Sequence, residues 1–417
     1  MTTQHLRWPG GPLGGTAHLP ASKSEANRAL LLQCLAGGGT LTNLSEANDT
    51  VLMQRLLSQA ASTDLLDAED AGTVMRFMTA YLAVTGWRGT LTGAARMKQR
   101  PIGILVEALR TLGADVAYAE KENYPPLRFE GGGRAAALAP AELAVRGDIS
   151  SQYISALLMV GPTLPAGLRL RLTGAIGSRP YIAMTLSLMR HFGATATELP
   201  GEVIEVAPGG YRPADYAVES DWSAASYWYA LVALAPVGSS IVLPGLRAQS
   251  WQGDHVIQHL MRPLGVTTEF LGNGSGVRLT QGLMAQVAAE APLLDFTDCP
   301  DLAQTVAVVA AALGRRLRLS GLHSLRIKET DRIAAVQAEL RKFGADLLEV
   351  APGVFEVQPG RVRVASQVIE TYDDHRMAMA FAPLAMCGPL VVQDPQVVRK
   401  SYPSFWRALA AAGMQVD

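Results

Sequence analysis

The sequence predicts an α/β protein of two similar domains, each assembled from three copies of one α/β unit. Two observations carry this. A phrase recurs along the chain as "LVEALRTLGADV", "LSLMRHFGATA", "IQHLMRPLGVTT", "AVQAELRKFGADL" and "FWRALAAAGMQV", with shared glycines Gly113, Gly193, Gly265, Gly344 and Gly413. The intervals between those glycines are 80, 72, 79 and 69 residues. Five copies at similar spacing mark a repeated supersecondary unit. A degenerate sixth, "LMQRLLSQAAST", lies about 52 residues before the first.

Within each copy, an apolar residue precedes the glycine by four positions (Leu109, Met189, Met261, Leu340, Leu409) and another by one (Leu112, Phe192, Leu264, Phe343, Ala412). That spacing of three makes a stripe on one helix face. The glycine fits the left-handed position that ends a helix. The stretch after it often reads as strands, as in "ADLLEVAPGVFEVQPG". Six units give two domains of three, joined near "GTAHLP" and "YAVESDW": residues 17–219, and residues 1–16 plus 220–417.

The 417 residues are 49% hydrophobic and 18% charged with net charge −1, ample for a large core. Balanced charge, no basic run and 6% aromatics leave nothing that marks a nucleic-acid binder. Cys34, Cys299 and Cys387 are too few and too scattered for a disulfide framework or a zinc site. The N-terminal "MTTQHLRWPGGPLGG" lacks a signal-peptide core, and no apolar run reaches membrane-spanning length. A soluble, cytoplasmic chain with no membrane partner is expected.

Polar clusters fall where the helices of these units begin: "LPASKSEANRAL", "EDAGTVMRFM", "ARMKQRPIG", "RGDISSQYISALLM", "GSRPYIAM", "SDWSAASYWYA", "CPDLAQTVAVVAAAL", "RIKETDRIAAV", "YDDHRMAMAFA" and "VRKSYPSFW". Ser and Asp there are ordinary helix caps. Capping does not account for the cations, because Lys and Arg in a first helical turn oppose the helix dipole. Lys23, Arg28, Arg76, Arg100, Arg179, Lys328, Arg332, Arg376 and Lys400 all lie at or near such starts. Their convergence on strongly anionic ligands is the economical account, arginine suiting phosphate and carboxylate through its planar fork. Asp301, Glu329, Asp374 and His375 accompany them as acid–base candidates. No metal pattern and no nucleotide-type phosphate loop is present, since "GGPLGG" and "GNGSG" lack the lysine and helix such loops need.

Taken together, "LPASKSEANRAL", "AGTVMR", "MKQRPIG", "YPPL", "SSQYISALLM", "SRPYI", "KETDR" and "DDHRMAMAFA", in that order from Leu19 to beyond Lys400, resemble the 5-enolpyruvylshikimate-3-phosphate synthase family. The resemblance implies an inside-out α/β barrel type of domain, present twice, with helix N-termini aimed at an interdomain cleft. It implies transfer of the carboxyvinyl group of phosphoenolpyruvate to the 5-hydroxyl of shikimate 3-phosphate by addition and elimination. It implies no metal and no organic cofactor. Shikimate 3-phosphate would meet Lys23, Ser24, Arg28, Ser150, Ser151, Gln152, Ser178, Tyr181, Asp301, Ser324 and Lys328. Phosphoenolpyruvate would meet Lys23, Gly72, Arg100, Gln152, Arg332, Arg376 and Lys400. Asp301 would be the base for the attacking hydroxyl, with Glu329 and Lys23 carrying protons. Which group protonates the methylene carbon is left open.

Four departures from the family pattern stand out. Asp70 replaces a common Asn, Phe77 a common Pro and Ser324 an Asn, and Glu25–Ala26 fill variable positions. Asp70 and Phe77 imply weaker inhibition by glyphosate, through added negative charge and a shifted helix start. A rival is UDP-N-acetylglucosamine enolpyruvyl transferase, which usually pairs the early lysine with Asn and carries a loop cysteine. Here Ser24 follows Lys23 and no cysteine lies between Cys34 and Cys299. A non-catalytic anion-binding protein is disfavoured by the retained Lys23, Asp301 and Glu329. A monomer is expected.

Overall fold

The computed structural model describes every residue except 1, 132–141, 148–149, 273, 283–289, 359, 361, 363 and 365–366. Part of the "RGDISSQY" cluster therefore lies outside the described residues. The chain divides into two compact units, an inserted one (Lys23–Val218) and a split one (Met1–Ser22 with Glu219–Asp417). Residues 17–22, expected with the inserted domain, side instead with the split unit. The Ala17 and Ser22 amides donate to the carbonyls of Val242 and Glu219, and the Asp221 amide donates to the Pro20 carbonyl.

The inserted unit contains helices α1 (Lys23–Ala36), α2 (Asn48–Gln59), α3 (Gly72–Thr85), α4 (Gly103–Thr111), α5 (Ser151–Val160) and α6 (Arg179–His191). Two four-stranded sheets share one plan. In the first, Leu65–Asp67 runs parallel to Arg88–Thr92, which pairs antiparallel with Leu127–Glu130, itself antiparallel to Val116–Tyr118. Glu142–Arg146, Leu168–Thr173, Val203–Val206 and Ala196–Leu199 repeat it. The third sheet is only Leu41–Thr42 parallel to Tyr216–Ala217. This is the degenerate copy: α2 ends on Ala60 in right-handed conformation, with no glycine to turn the chain back into an antiparallel pair.

The split unit contains α7 (Trp222–Leu234), α8 (Ile257–Met261), α9 (Ala303–Ala312), α10 (Arg332–Lys342), α11 (His375–Phe381) and α12 (Phe405–Ala411). Leu293–Asp295, Arg318–Ser320, Val354–Gln358 and Asp346–Ala351 form the same parallel–antiparallel–antiparallel sheet. The N-terminus completes the other two. Thr3–Arg7 enters between Leu390–Gln393 and Gln415–Val416, and Thr16 bridges Val242 beside the Ser240–Pro244, Gly276–Gln281 and Val266–Phe270 sheet.

All five repeat glycines have left-handed φ: Gly113 89°, Gly193 86°, Gly265 91°, Gly344 81° and Gly413 100°. Each follows a helix and leads into a strand, so the recurrent phrase is one structural unit. The helices fall into two kinds. α2, α4, α6 and α10 bury one stripe, whereas α7, α9 and α11 are buried almost all round, as are α3 and α5. Helices apolar on every face belong at the centre of a unit. Strands such as Leu168–Thr173 alternate buried and half-buried residues, one face against that centre. Polar side chains on the central helices are thereby concentrated at their first turns, where the candidate residues sit.

Candidate active site

In the split unit, one guanidinium organises the site. Arg332 is the first residue of α10, whose N-cap Asp331 accepts from the amides of Ile333 and Ala334, both at 3.1 Å. Its side chain is 2% exposed. Nε donates to Asp374 Oδ2 at 2.6 Å, Nη1 to Asp301 Oδ1 at 2.7 Å and Nη2 to Glu329 Oε2 at 2.9 Å. Asp374 caps α11 by accepting from the Arg376 amide at 2.9 Å. The Arg376 side chain turns back, with Nη2 3.0 Å from Asp301 Oδ2 and Nη1 3.3 Å from the Tyr227 hydroxyl. Lys328 Nζ stands 3.9 Å from Asp301, and Lys400 Nζ 3.5 Å from Glu329. Four cations thus face three carboxylates, leaving one positive charge in excess within the cluster.

Asp301 sits just before α9 on the turn Pro300–Leu302. Burial alone would raise its pKa, but Arg376, Lys328 and Arg332 outweigh burial and hold the carboxyl far below the usual carboxylate range. Arg332 is the converse: burial opposes its charge, and Asp374, Glu329 and Asp301 hold it firmly protonated. For Lys328 the attraction of Asp301 is outweighed by burial with repulsion from Arg332 and Arg376, so its pKa falls. A carboxylate so deeply ionised is a weak base, because an efficient general base has a pKa near the working pH. Anions that draw Arg376 and Lys328 toward themselves would relax Asp301 toward basicity.

Behind this cluster lies a group that sequence reasoning missed. Ser223, in the first turn of α7, donates its hydroxyl to Asp254 and lies 3.4 Å from Arg376 Nη2. Asp254 is 4% exposed and its Oδ1 has no hydrogen-bond partner among the described residues. Burial, then repulsion from Asp301, pushes its pKa up to about 7. A lone Asp in "WQGDH" gave no signal of this. His375, an acid–base candidate in the sequence, is buried with Nδ1 3.4 Å from Asp374 Oδ1. Ser324 lies on the turn His323–Ile327 leading to Lys328, without a side-chain hydrogen bond among the described residues.

In the inserted unit, Lys23 opens α1 and pairs with Asp49 of α2, Nζ to Oδ2 3.1 Å. Ser150 caps α5, accepting from the amide of Gln152, and Ser151 is the first residue of that helix. Gln152 Nε2 donates to Thr73 Oγ1 at 3.1 Å, tying the starts of α5 and α3 together. A Cβ on Gly72 would lie 2.8 Å from Arg100 Nη1 and 2.9 Å from Nη2. The missing side chain therefore lets the Arg100 guanidinium rest across the first turn of α3. Arg100 has no ion pair or side-chain hydrogen bond among the described residues. A cation held against the positive end of a helix is unfavourable by itself, and an anion shared by both relieves it. Ser178, just before α6, holds the left-handed region at φ 58° with no capping bond from its side chain. Strain of this kind in a non-glycine residue collects at functional sites.

Three other cations at helix starts also have partners within the fold. Arg28 is 2% exposed; Nε donates to Thr185 Oγ1 at 2.7 Å, Nη2 to Ser155 Oγ at 3.0 Å and Nη1 to the Ser24 carbonyl at 2.8 Å. Its guanidinium also lies over the rings of Phe77 and Tyr181, at 5.3 and 5.7 Å. It ties α1, α5 and α6 together, a buried cation satisfied by hydroxyls and rings. Arg76 donates to the carbonyls of Gly72 and Pro101, holding the turn that carries Arg100 against α3. Arg179 makes a two-pronged surface pair with Glu202. Phe77 is fully buried beneath Arg28, on the helix that begins at Gly72.

A model of the family described as EPSP synthase (3-phosphoshikimate 1-carboxyvinyltransferase) matches residues 39–409. The 3-phosphoshikimate 1-carboxyvinyltransferase of Bacteroides fragilis (strain YCH46) is 48% identical over 405 residues, 96% of each chain. That of Photobacterium profundum is 37% identical over 430 residues, 96% of this chain and 97% of its own. Among solved structures, EPSP synthase from Acinetobacter baumannii is similar over the whole of both chains with a TM-score of 0.79 at 20% identity, a likeness of fold.

Proposed function

Because the chain belongs to the EPSP synthase (3-phosphoshikimate 1-carboxyvinyltransferase) family, we propose that it transfers the carboxyvinyl group of phosphoenolpyruvate to the 5-hydroxyl of shikimate 3-phosphate. Phosphate is released, in the shikimate pathway toward aromatic amino acids. The observation that carries the site reading is the Arg332 cluster, where carboxylates able to move protons are interleaved with cations in excess.

The 5-hydroxyl oxygen attacks C2 of phosphoenolpyruvate while C3 gains a proton, giving a tetrahedral intermediate. The C2–O bond to phosphate then breaks and C3 returns a proton, restoring the double bond. Lys23, Arg100, Arg332, Arg376 and Lys400 are the cations that take the carboxylate and phosphate of phosphoenolpyruvate. Gly72 leaves room beside Arg100, and Gln152 reaches the same start of α3. Lys23, Ser24, Arg28, Ser150, Ser151, Gln152, Ser178, Tyr181, Asp301, Ser324 and Lys328 hold shikimate 3-phosphate.

Asp301 takes the hydroxyl proton. Substrate anions on Arg376 and Lys328 would weaken the hold of these cations on Asp301 and raise its basicity. Glu329, paired with Lys400 and Arg332, and Lys23 are the proton carriers of this reading. Fixed cations facing the departing phosphate stabilise developing charge without reorganisation. The same reading includes a cytoplasmic monomer; among the described residues, no helix is long and apolar enough to cross a membrane.

The test is phosphate release by the purified chain from phosphoenolpyruvate, with shikimate 3-phosphate or UDP-N-acetylglucosamine as acceptor. Turnover with shikimate 3-phosphate alone is expected. No release with it, or release only with the nucleotide sugar, would overturn the assignment.

A further inference from the structure

We infer that Glu339, through Tyr372, is a positioning residue that holds the turn presenting Asp374 and Arg376 to the site. It lies two turns beyond Arg332 on α10, and its carboxylate is fully buried. Oε1 accepts from the Tyr372 hydroxyl at 2.8 Å, and Oε2 accepts from the Glu370 amide at 3.3 Å. Lys342, one turn further along the helix, balances the charge, Nζ to Oε1 2.8 Å. Nζ is also 3.5 Å from the Glu370 carboxylate.

The segment gripped in this way is unusual. Tyr372 and Asp373 are consecutive non-glycine residues in the left-handed region, with φ of 52° and 54°. No other adjacent pair of non-glycine residues shares this conformation among the described residues. Such a turn persists only where its surroundings over-determine it. Immediately after it come Asp374, which caps α11, and Arg376, which meets Asp301. α10 therefore grips 370–374 at two points: Glu339 holds the approach, and Arg332 holds the exit, its Nε 2.6 Å from Asp374 Oδ2.

An apolar residue at 339 would pack at lower desolvation cost than a carboxylate. What the carboxylate adds is two directed acceptors aimed at the turn. Burial, then the neighbouring Glu339, raises the Tyr372 pKa, so the phenol stays a donor throughout the working range. If Tyr372 is released, both residues can relax toward ordinary φ, and the capping carboxylate and Arg376 move with them. Phosphoenolpyruvate binding should then suffer, because Arg376 belongs to its site in the reading above, on which this inference rests.

The principal variant is Tyr372→Phe, which deletes one hydroxyl; Glu339→Gln keeps an acceptor for that hydroxyl but sets an amide donor against the Glu370 N–H. For Tyr372→Phe we expect KM for phosphoenolpyruvate to rise roughly five- to tenfold, part of the loss of one hydrogen bond to a charged group being transmitted to the site. KM for shikimate 3-phosphate and kcat should stay within about twofold, and hydrogen exchange should accelerate in 370–377 but not in α12. Glu339→Gln should fall between wild type and Tyr372→Phe in both readouts. An unchanged KM for phosphoenolpyruvate with a lowered melting temperature would make the contact merely structural and overturn the inference, as would unchanged exchange in 370–377. Wild-type enzyme without turnover would instead refute the functional reading, while the exchange comparison would still decide the clamp.

Discussion

Replacing Asp301 with asparagine separates two effects that a carboxylate deletion would confuse. Asparagine keeps the volume and one carbonyl acceptor for Arg332 Nη1, now 2.7 Å away. It cannot take a proton, so kcat should fall by about 10²–10⁴, or roughly 3–5 kcal/mol of barrier. It also removes a negative charge that Arg376 Nη2 contacts at 3.0 Å and Lys328 at 3.9 Å. An anion bound on Arg376 would sit roughly 5 Å from that carboxylate; at an effective dielectric of about 20 their repulsion is about 3 kcal/mol. Solvent and the remaining Glu329 and Asp374 reduce the gain, so phosphoenolpyruvate should bind about tenfold more tightly, or about 1.4 kcal/mol. Alanine removes the charge and also the acceptor for the buried Arg332, and should cost about 3 kcal/mol of stability. The assay is phosphate release for kcat, with calorimetric titration of phosphoenolpyruvate in saturating shikimate 3-phosphate. Turnover within about tenfold of wild type would remove Asp301 as the base. Loss of phosphoenolpyruvate affinity in the asparagine variant would refute the claim that Asp301 competes for the pocket cations.

Two further outcomes follow from the geometry. Gly72→Ala should fold as well as wild type, since helices favour alanine by up to about 1 kcal/mol; its methyl must push the Arg100 guanidinium aside. KM for phosphoenolpyruvate should therefore rise about tenfold without a loss of melting temperature, and an unchanged KM would show that Arg100 does not hold the anion. Asp254, with its pKa raised to about 7, is protonated more readily in the folded than in the unfolded chain. Its stabilising contribution is present at low pH and disappears as pH climbs through about 7. Asp254→Asn should consequently gain on wild type between about pH 5 and 8 by on the order of 2–4 kcal/mol in urea unfolding. A constant difference across that range would count against a buried, uncompensated carboxyl.

The repeat was legible because its signal is local. A helix stripe followed by a glycine at left-handed φ is a steric rule satisfied within a dozen residues, and Gly113, Gly193, Gly265, Gly344 and Gly413 all obey it. The degenerate copy was legible for the same reason: Ala60 and Ala61 stand where the turn would need glycine. The helix starts that carry the candidate residues were also readable, since Ser150, Asp331 and Asp374 cap them as their types suggest. The clustering of Asp301, Lys328, Glu329, Arg332, Arg376 and Lys400 agrees with the motifs that named them.

What each cation does there is another matter. Arg28, Arg76, Arg100 and Arg179 look alike in sequence, each at a helix start, yet only Arg100 keeps its guanidinium without a partner among the described residues. Arg28 is satisfied by Thr185, 157 residues away, and Arg179 by Glu202. Asp301 in "CPDLAQT" is an acid–base candidate by residue type, and a base by family resemblance, but Arg376, 75 residues further on, suppresses its basicity. The repeat places residues 1–16 with 220–417, but nothing in Thr3–Arg7 tells that its partner strand is Leu390–Gln393. Chain-local sterics and capping determine the elements and their repetition, so the sequence alone determined those. Charge pairing, desolvation and sheet closure depend on distance between groups remote along the chain, and only the tertiary structure decides those distances.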